Sequence, residues 1–334
     1  MARIAIAAPI RPGANSGNDV TAARWANHLE TLGHETVIVP VAEDNATLGE
    51  SAASELADAH VLIALHARRS APAASWWTEH RPGQPLIVGL AGTDLYRDMP
   101  DSHTAAAAVA EADALIVLQE DALDRLREFD PAWADKAAVI HQSVSLPLPE
   151  RRAADDEFRV VVLAHLRDIK DPLLTARAAR LLPGNSRVAV HHAGRALDGD
   201  WQQAAETEEG TNDRYTWHRE LGAEDALALL ASAHVLACTS LSEGGANVVT
   251  EAIALGIPVI GTRIAGNTGL LGSDHPGWFP VGHAEALAEL LLDLETNPEL
   301  RAELERRSLA RKPITDPSTE QAALEQLIAR VFDS

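Results

Sequence analysis

Short apolar runs recur along the whole chain, and segments of helical spacing alternate with them. That alternation is the pattern of a parallel sheet wrapped by helices, and it admits few folds. The runs in the first half are RIAIAAP, ETVIVPV, HVLIALH, PLIVGLAG, ALIVLQ and AAVIHQS. Those in the second half are FRVVVLAHL, RVAVHHAG, YTWHR, HVLACTS, PVIGTR and GWFPV. Between the first two, NDVTAARWANHLETLG has helical spacing and stops at Gly33. The stretch SLPLPERRAADDE, rich in proline and charge, reads as a linker. The expectation is therefore two Rossmann-like α/β domains, residues 1–150 and 151–312, followed by one amphipathic helix within 313–334. A length of 334 residues fits two domains, since single cores stop growing well before that size.

Charge narrows the partners. The formal net charge of −21 argues against a nucleic-acid backbone or an anionic membrane. Any anionic ligand must be held by a local concentration of arginine, lysine and backbone amides. Lysine occurs only at 136, 170 and 312, so Lys170 inside a motif stands out. Cys238 is the sole cysteine and, within AHVLACTS, reads as a packed strand residue; no internal disulfide or cysteine-based metal cluster can form. The N-terminal MARIAIAAPIRPG is too short an apolar run for a signal peptide, and no stretch approaches the ~20 apolar residues of a membrane span. The expectation is a cytoplasmic protein, monomer or homodimer. Ligands of such folds sit beyond the carboxyl ends of strands, which for two domains points to the cleft between them.

One loop carries more chemistry than the rest. CTSLSEGGANVVTEAIALG runs from a strand end through Gly244 and Gly245 into a helix that Gly256 and Pro258 terminate. Paired glycines admit a ligand close to the backbone, and the helix start offers amides with a partial positive charge, together a phosphate site. Glu243 precedes the glycines, and Glu251 follows eight positions later on one line with Asn247 and Leu255. Its apolar neighbours Val248, Val249, Ala252 and Ile253 predict a largely buried carboxylate, which needs partners. Two carboxylates straddling a phosphate site can grip both ends of a nucleotide sugar. The plainer alternative makes Glu243 a loop acid and Glu251 a cap on a neighbouring element.

This segment resembles the E-x7-E motif of the family-4 glycosyltransferases, which have the GT-B fold: two Rossmann-like domains across a cleft. HLRDIKDP is similar to the family's Arg/Lys donor loop, HHAGRAL to its GxG strand end, and YTWHRELGAEDALALLASAHVLACTS to its base wall. The last helix matches the one that crosses back onto the first domain. The resemblance implies that Glu251 holds the ribose and Glu243 the donor sugar. Lys170 and Arg167 join the amides of Gly244, Gly245, Ala246 and Asn247 in neutralising the departing diphosphate. It further places His165, Gly194, Arg219 and Gly17 at the donor.

Three departures narrow the resemblance. His165 stands where GRLxxxKG has arginine, Ala91 where HGTD has histidine, and Gly269 where GGxxE has an acid. These variants, with SGNDVTAARW, IALHARRS and GTDLYRD, resemble the selenosugar-synthase branch that serves selenoneine biosynthesis. That branch implies transfer of a sugar from UDP-GlcNAc or UDP-glucose to selenophosphate, with no cofactor and no metal. An anionic selenium needs no strong general base, which suits the missing histidine. The acceptor would meet His66, Arg68 and Arg69 of LHARRS, Asp94 and Arg97 of TDLYRD, and Asn18; Arg24 is a weaker candidate. Other readings of the same fold are a hydroxyl-directed transferase, a UDP-sugar 2-epimerase and a non-catalytic nucleotide-sugar sensor. The literal D-x-D at Asp198 to Asp200 lies in an acidic, surface-like stretch and reads as coincidence. Adjacent His191 and His192 point to opposite faces of a strand and cannot share a metal.

Overall fold

A computed structural model of the chain describes residues 1–10, 17–42, 47–99 and 101–333. The chain divides into two compact units, the first comprising residues 1–145 and 316–334 and the second residues 146–315. Residues 146–157 form no regular element, but Arg152 N and Ala154 N donate to the carbonyls of Ala231 and Ser232, which ties this stretch to the second unit. Ser16, which opens the SGNDV stretch, lies outside the described residues.

The first unit is a six-stranded parallel sheet of β1 (Arg3–Ala8), β2 (Glu35–Pro40), β3 (Val61–Leu65), β4 (Leu86–Gly89), β5 (Ala114–Val117) and β6 (Ala137–Val139). Their order is β2-β1-β3-β4-β5-β6. Alternation along β1 sends Ile4 and Ile6 to one face and Ala5 and Ala7 to the other, and both faces are buried. The Ile face is covered by helix Gly17–Thr31 through Trp25 and Leu29, and by the last helix, Pro317–Asp333, through Leu324, Leu327 and Ile328. The chain therefore returns to its first domain, as the resemblance implied.

A buried carboxylate fastens that return. Glu320, 1% exposed, takes two hydrogen bonds from Arg24 Nε (2.8 and 3.1 Å) and one from Trp25 Nε1 (2.9 Å). Ser143 adds its amide (2.8 Å) and its hydroxyl (2.5 Å). Burial alone would raise the Glu320 pKa, but the bond with His28, the charge of Arg24 and the Ser143 donors outweigh it and hold the group at about 2. Arg24 is thus committed to a structural carboxylate, which corrects its candidacy for the acceptor.

The second unit repeats the architecture with β7 (Phe158–Leu163), β8 (Val188–Ala193), β9 (Tyr215–Trp217), β10 (Val235–Cys238), β11 (Val259–Thr262) and β12 (Trp278–Phe279). All pairs are parallel, in the order β12-β11-β10-β7-β8-β9. Counted within the unit this is the doubly wound 3-2-1-4-5-6 arrangement, and its direction of winding reverses between β7 and β10. The twelve strands fall on the twelve apolar runs. No helix among the described residues is long and apolar enough to cross a membrane.

Glu320→Gln is expected to remove about 3–5 kcal/mol of stability at neutral pH, because it leaves the Arg24 charge buried without its partner. A carboxyl held below its ordinary 4.5 stabilises fully above that pH and loses the effect as pH falls toward about 2. Denaturant melts at pH 7, 4.5 and 3 should show the parent losing this increment on acidification and the variant lacking it throughout. Parallel pH profiles would remove Glu320 from the account.

Candidate active site

In the second unit the winding reversal places two loops side by side, one after β7 and one after β10. Leu241 N donates to Ile169 O (2.8 Å) and Thr239 Oγ1 to Lys170 O (2.8 Å), so the loops are zipped along their backbones. Across this seam Lys170 Nζ pairs with the Glu243 carboxylate, which also accepts from Ser240 Oγ at 2.6 Å. The two candidate catalytic groups therefore meet, with side chains only 19% and 13% exposed. Arg167 lies exposed on the same loop, just before the single turn Asp168–Lys170.

The helix Asn247–Leu255 starts directly after Gly244 and Gly245, with Ala246 in the N-cap position. Alanine supplies no side-chain cap, so the helix start keeps the electropositive character that suits an anion. Beside it, Ser242 Oγ is sheltered from solvent and makes no hydrogen bond among the described residues. Glu251 stands in the second helical turn and is partly buried: the helix turns its Val249, Ala252 and Ile253 face into the core and leaves Glu251 at the margin of that face.

A third loop, after β8, closes against the first. A Cβ at position 194 would lie 1.8 Å from the Ala164 carbonyl oxygen, so only glycine permits this approach. Arg195 N donates to His165 Nδ1 (3.1 Å), and Gly194 N donates to the carbonyl of Arg219 (2.7 Å). His165, Gly194 and Arg219 are thus brought together. The Arg219 side chain turns back, stacking 4.0 Å over the Trp217 ring and pairing with Glu209 (3.0 Å). What Arg219 lends to the loop is its backbone.

In the first unit the winding reverses between β1 and β3, and His66 to Arg69 follow β3 directly. His66 is buried in the left-handed region at φ 74, a strained state for a residue with a side chain. Asp94 holds that turn by accepting from Ala67 N (2.6 Å) and Leu95 N (3.0 Å), while Thr93 Oγ1 lies 3.0 Å from His66 Nε2. Burial, then the Arg69 and Arg68 charges, lower the His66 pKa to about 3, so the ring is neutral. Burial raises Asp94 to about 7 against four backbone donors. Asp98 bridges Arg68 (2.6 Å) and Arg97 (3.4 Å), leaving the trio with a net positive charge. Gly17 and Asn18 open the first helix of this unit.

Some residues escaped the reading of the sequence. Gly266 is one: a Cβ there would meet the Glu243 carbonyl oxygen at 2.1 Å, so the first turn of the helix Ala265–Leu271, after β11, is pressed against Glu243. A glycine inside IAGNTG carries no signal of a contact with position 243. Asp198 caps the helix Gly199–Thr211 by accepting from Trp201 N (2.9 Å), which accounts for that half of the D-x-D. Among the described residues no group of three or more His, Cys, Asp or Glu could hold a metal.

Residues 148–311 match the model of the family described as Glycosyl transferases group 1. That stretch is nearly all of the second unit. A D-inositol 3-phosphate glycosyltransferase of Mycobacteroides abscessus is 31% identical over 201 residues, taking in 55% of this chain and 45% of that protein. The chain spans about half the length of that relative and of its Mycobacterium avium counterpart. Glycosyltransferase 1 domain-containing protein 1 of Xenopus tropicalis is 25% identical, with 86% of each chain covered. Among solved structures, Anabaena HepE in complex with UDP and glucose superposes with a TM-score of 0.77 at 15% identity, over 99% of this chain and 100% of that one. Sucrose-phosphate synthase from Thermosynechococcus elongatus gives 0.81 at 16%, over the full length of both. These structural likenesses establish the GT-B fold.

Gly266→Ala is expected to cost about 1–3 kcal/mol by overpacking and to displace Glu243 from Lys170. Gly49→Ala, where an added Cβ meets nothing within 4 Å, serves as the control. Thermal melts of the two variants check this; equal midpoints would mean that the helix Ala265–Leu271 does not buttress Glu243.

Proposed function

We propose that this chain, whose residues 148–311 match the group 1 glycosyl transferase model, moves a sugar from a UDP-sugar to a phosphate-bearing acceptor. The observation that carries the reading is the zipped pair of loops at the winding reversal. There Lys170, Glu243 and an electropositive helix start converge. HepE, of like fold, was solved with UDP-glucose, which supports a uridine nucleotide here. Charge builds on UDP as the sugar leaves, and Lys170, Arg167 and the amides of Gly244 to Asn247 are placed to offset it. Glu251 takes the ribose hydroxyls and Glu243 the sugar, while His165, Gly194 and the Arg219 backbone shape the side nearer the base. In the first unit His66, Arg68, Arg69, Asp94 and Arg97 receive the acceptor, whose phosphate suits a guanidinium fork. Asn18, at the start of the first helix, joins the acceptor side.

The relatives favour a hydroxyl as the attacking group, since the inositol phosphate in their name offers ring hydroxyls beside its phosphate. The departures in this sequence favour selenophosphate, an acceptor already ionised: Ala91 replaces the family's histidine, and His66 is held neutral. Of the two, the hydroxyl reading has the broader support and selenophosphate is the second. Both set a phosphate among the same arginines.

Calorimetric titration with UDP tests the donor site. Glu251→Ala and Lys170→Ala should each weaken binding by about 1.5–3 kcal/mol, the value of a charge-assisted hydrogen bond, with the melting profile retained. Parent-like affinity in both variants would dismiss the assignment.

A further inference from the structure

A buried polar relay in the second unit has no part in the donor contacts assigned above. His192, at 0% exposure, ends β8 with Nε2 2.8 Å from the Ala164 carbonyl and Nδ1 2.9 Å from the Tyr215 hydroxyl. A carbonyl oxygen only accepts, so Nε2 must carry the proton. Nδ1 must then accept, and the Tyr215 hydroxyl must donate. Burial lowers the His192 pKa to about 4, with the Ala164 bond opposing it, so the ring is neutral at physiological pH. Burial raises the Tyr215 hydroxyl, which therefore keeps its proton. Each member of the relay has one permitted role.

The relay ends on a carbonyl that matters. Ala164 is the residue that Gly194 approaches within the space of a missing methyl, and it begins the loop that runs to Arg167 and Lys170. Two residues beyond Tyr215 on β9, Trp217 donates from Nε1 to the Gly194 carbonyl (2.9 Å), and its own amide is held by Glu209 (2.8 Å). The edge strand thus reaches across β8 with two side chains and fixes both sides of the Ala164–Gly194 contact.

We propose that Tyr215 and His192 are positioning residues for the nucleotide: the Ala164 carbonyl fixes the histidine tautomer, Tyr215 anchors the ring through Nδ1, and the histidine sets the height of the Ala164–Lys170 loop. This rests on the reading of that loop as the diphosphate site. A neutral hydrogen bond lost at a distance from the ligand should appear as a modest change in affinity, with the fold unaltered.

The test compares the parent, Tyr215→Phe, His192→Gln and His192→Leu by three measurements: UDP titration, amide exchange at Leu166 and Lys170, and ¹⁵N spectra of the imidazole. The parent should show the Nε2–H tautomer. Tyr215→Phe should remain cooperatively folded and keep the Nε2–H tautomer that the Ala164 carbonyl fixes, but speed exchange at the two loop amides and bind UDP about three- to tenfold more weakly. His192→Gln can donate and accept at the same two points and should bind like the parent, whereas His192→Leu should resemble Tyr215→Phe. Unchanged loop exchange and UDP affinity in both Tyr215→Phe and His192→Leu would overturn the proposal, leaving the relay as core filling. A parent that fails to bind UDP would instead contradict the functional reading, and the exchange and tautomer measurements would still decide the relay.

Discussion

The ion pair between Lys170 and Glu243 joins the loop after β7 to the loop after β10, and the proposed donor site is organised around it. Winding reverses between these two strands, so no crossover helix covers the gap between their ends. The pair is largely withdrawn from water, where a charge without its partner is costly. An anion arriving at the start of helix Asn247–Leu255 competes with Glu243 for Lys170, and a hydroxyl arriving at Glu243 compensates that acid for the loss. A diphosphate joined to a sugar offers both at once. Lone phosphate offers only the first, so on the proposed reading the pair favours the intact donor.

The first unit solves a different problem, which is to present positive charge in a chain of net charge −21. Asp94 accepts the amides that hold the left-handed turn at His66, and Asp98 spaces Arg68 from Arg97. The arginines are therefore fixed by acids at their base while keeping an excess of positive charge. Raising pH through the Asp94 pKa of about 7 adds a negative charge beneath this turn, which makes the cluster less attractive to an anion in mildly alkaline solution.

How far the sequence could be read depended on the range of the interactions. Strand runs are local, and all twelve β-strands lie on them; the phosphate loop is also local, since its glycines and helix start are consecutive. The meeting of Lys170 and Glu243, 73 residues apart, needs a strand order that no local pattern encodes. Arg24 shows the opposite error: a basic residue near the first loop looked available, yet its partner Glu320 lies 296 residues later. The apolar neighbours of Glu251 announced its partial burial, and its place at the margin follows because a helix turns only one stripe inward. Gly194 was legible as part of a strand-end motif, whereas Gly266, in a helix, was not, because its constraint comes from the Glu243 carbonyl on the loop after β10.

The most direct measurement is mass spectrometry of the products formed from UDP-glucose or UDP-GlcNAc, supplied with inositol phosphate, with selenophosphate, or with neither. The account predicts UDP release coupled to a glycosylated acceptor, with a mass that identifies which of the two accepted the sugar. Recovery of the donor unchanged in every mixture, or its conversion to an isomer without any acceptor, would contradict it.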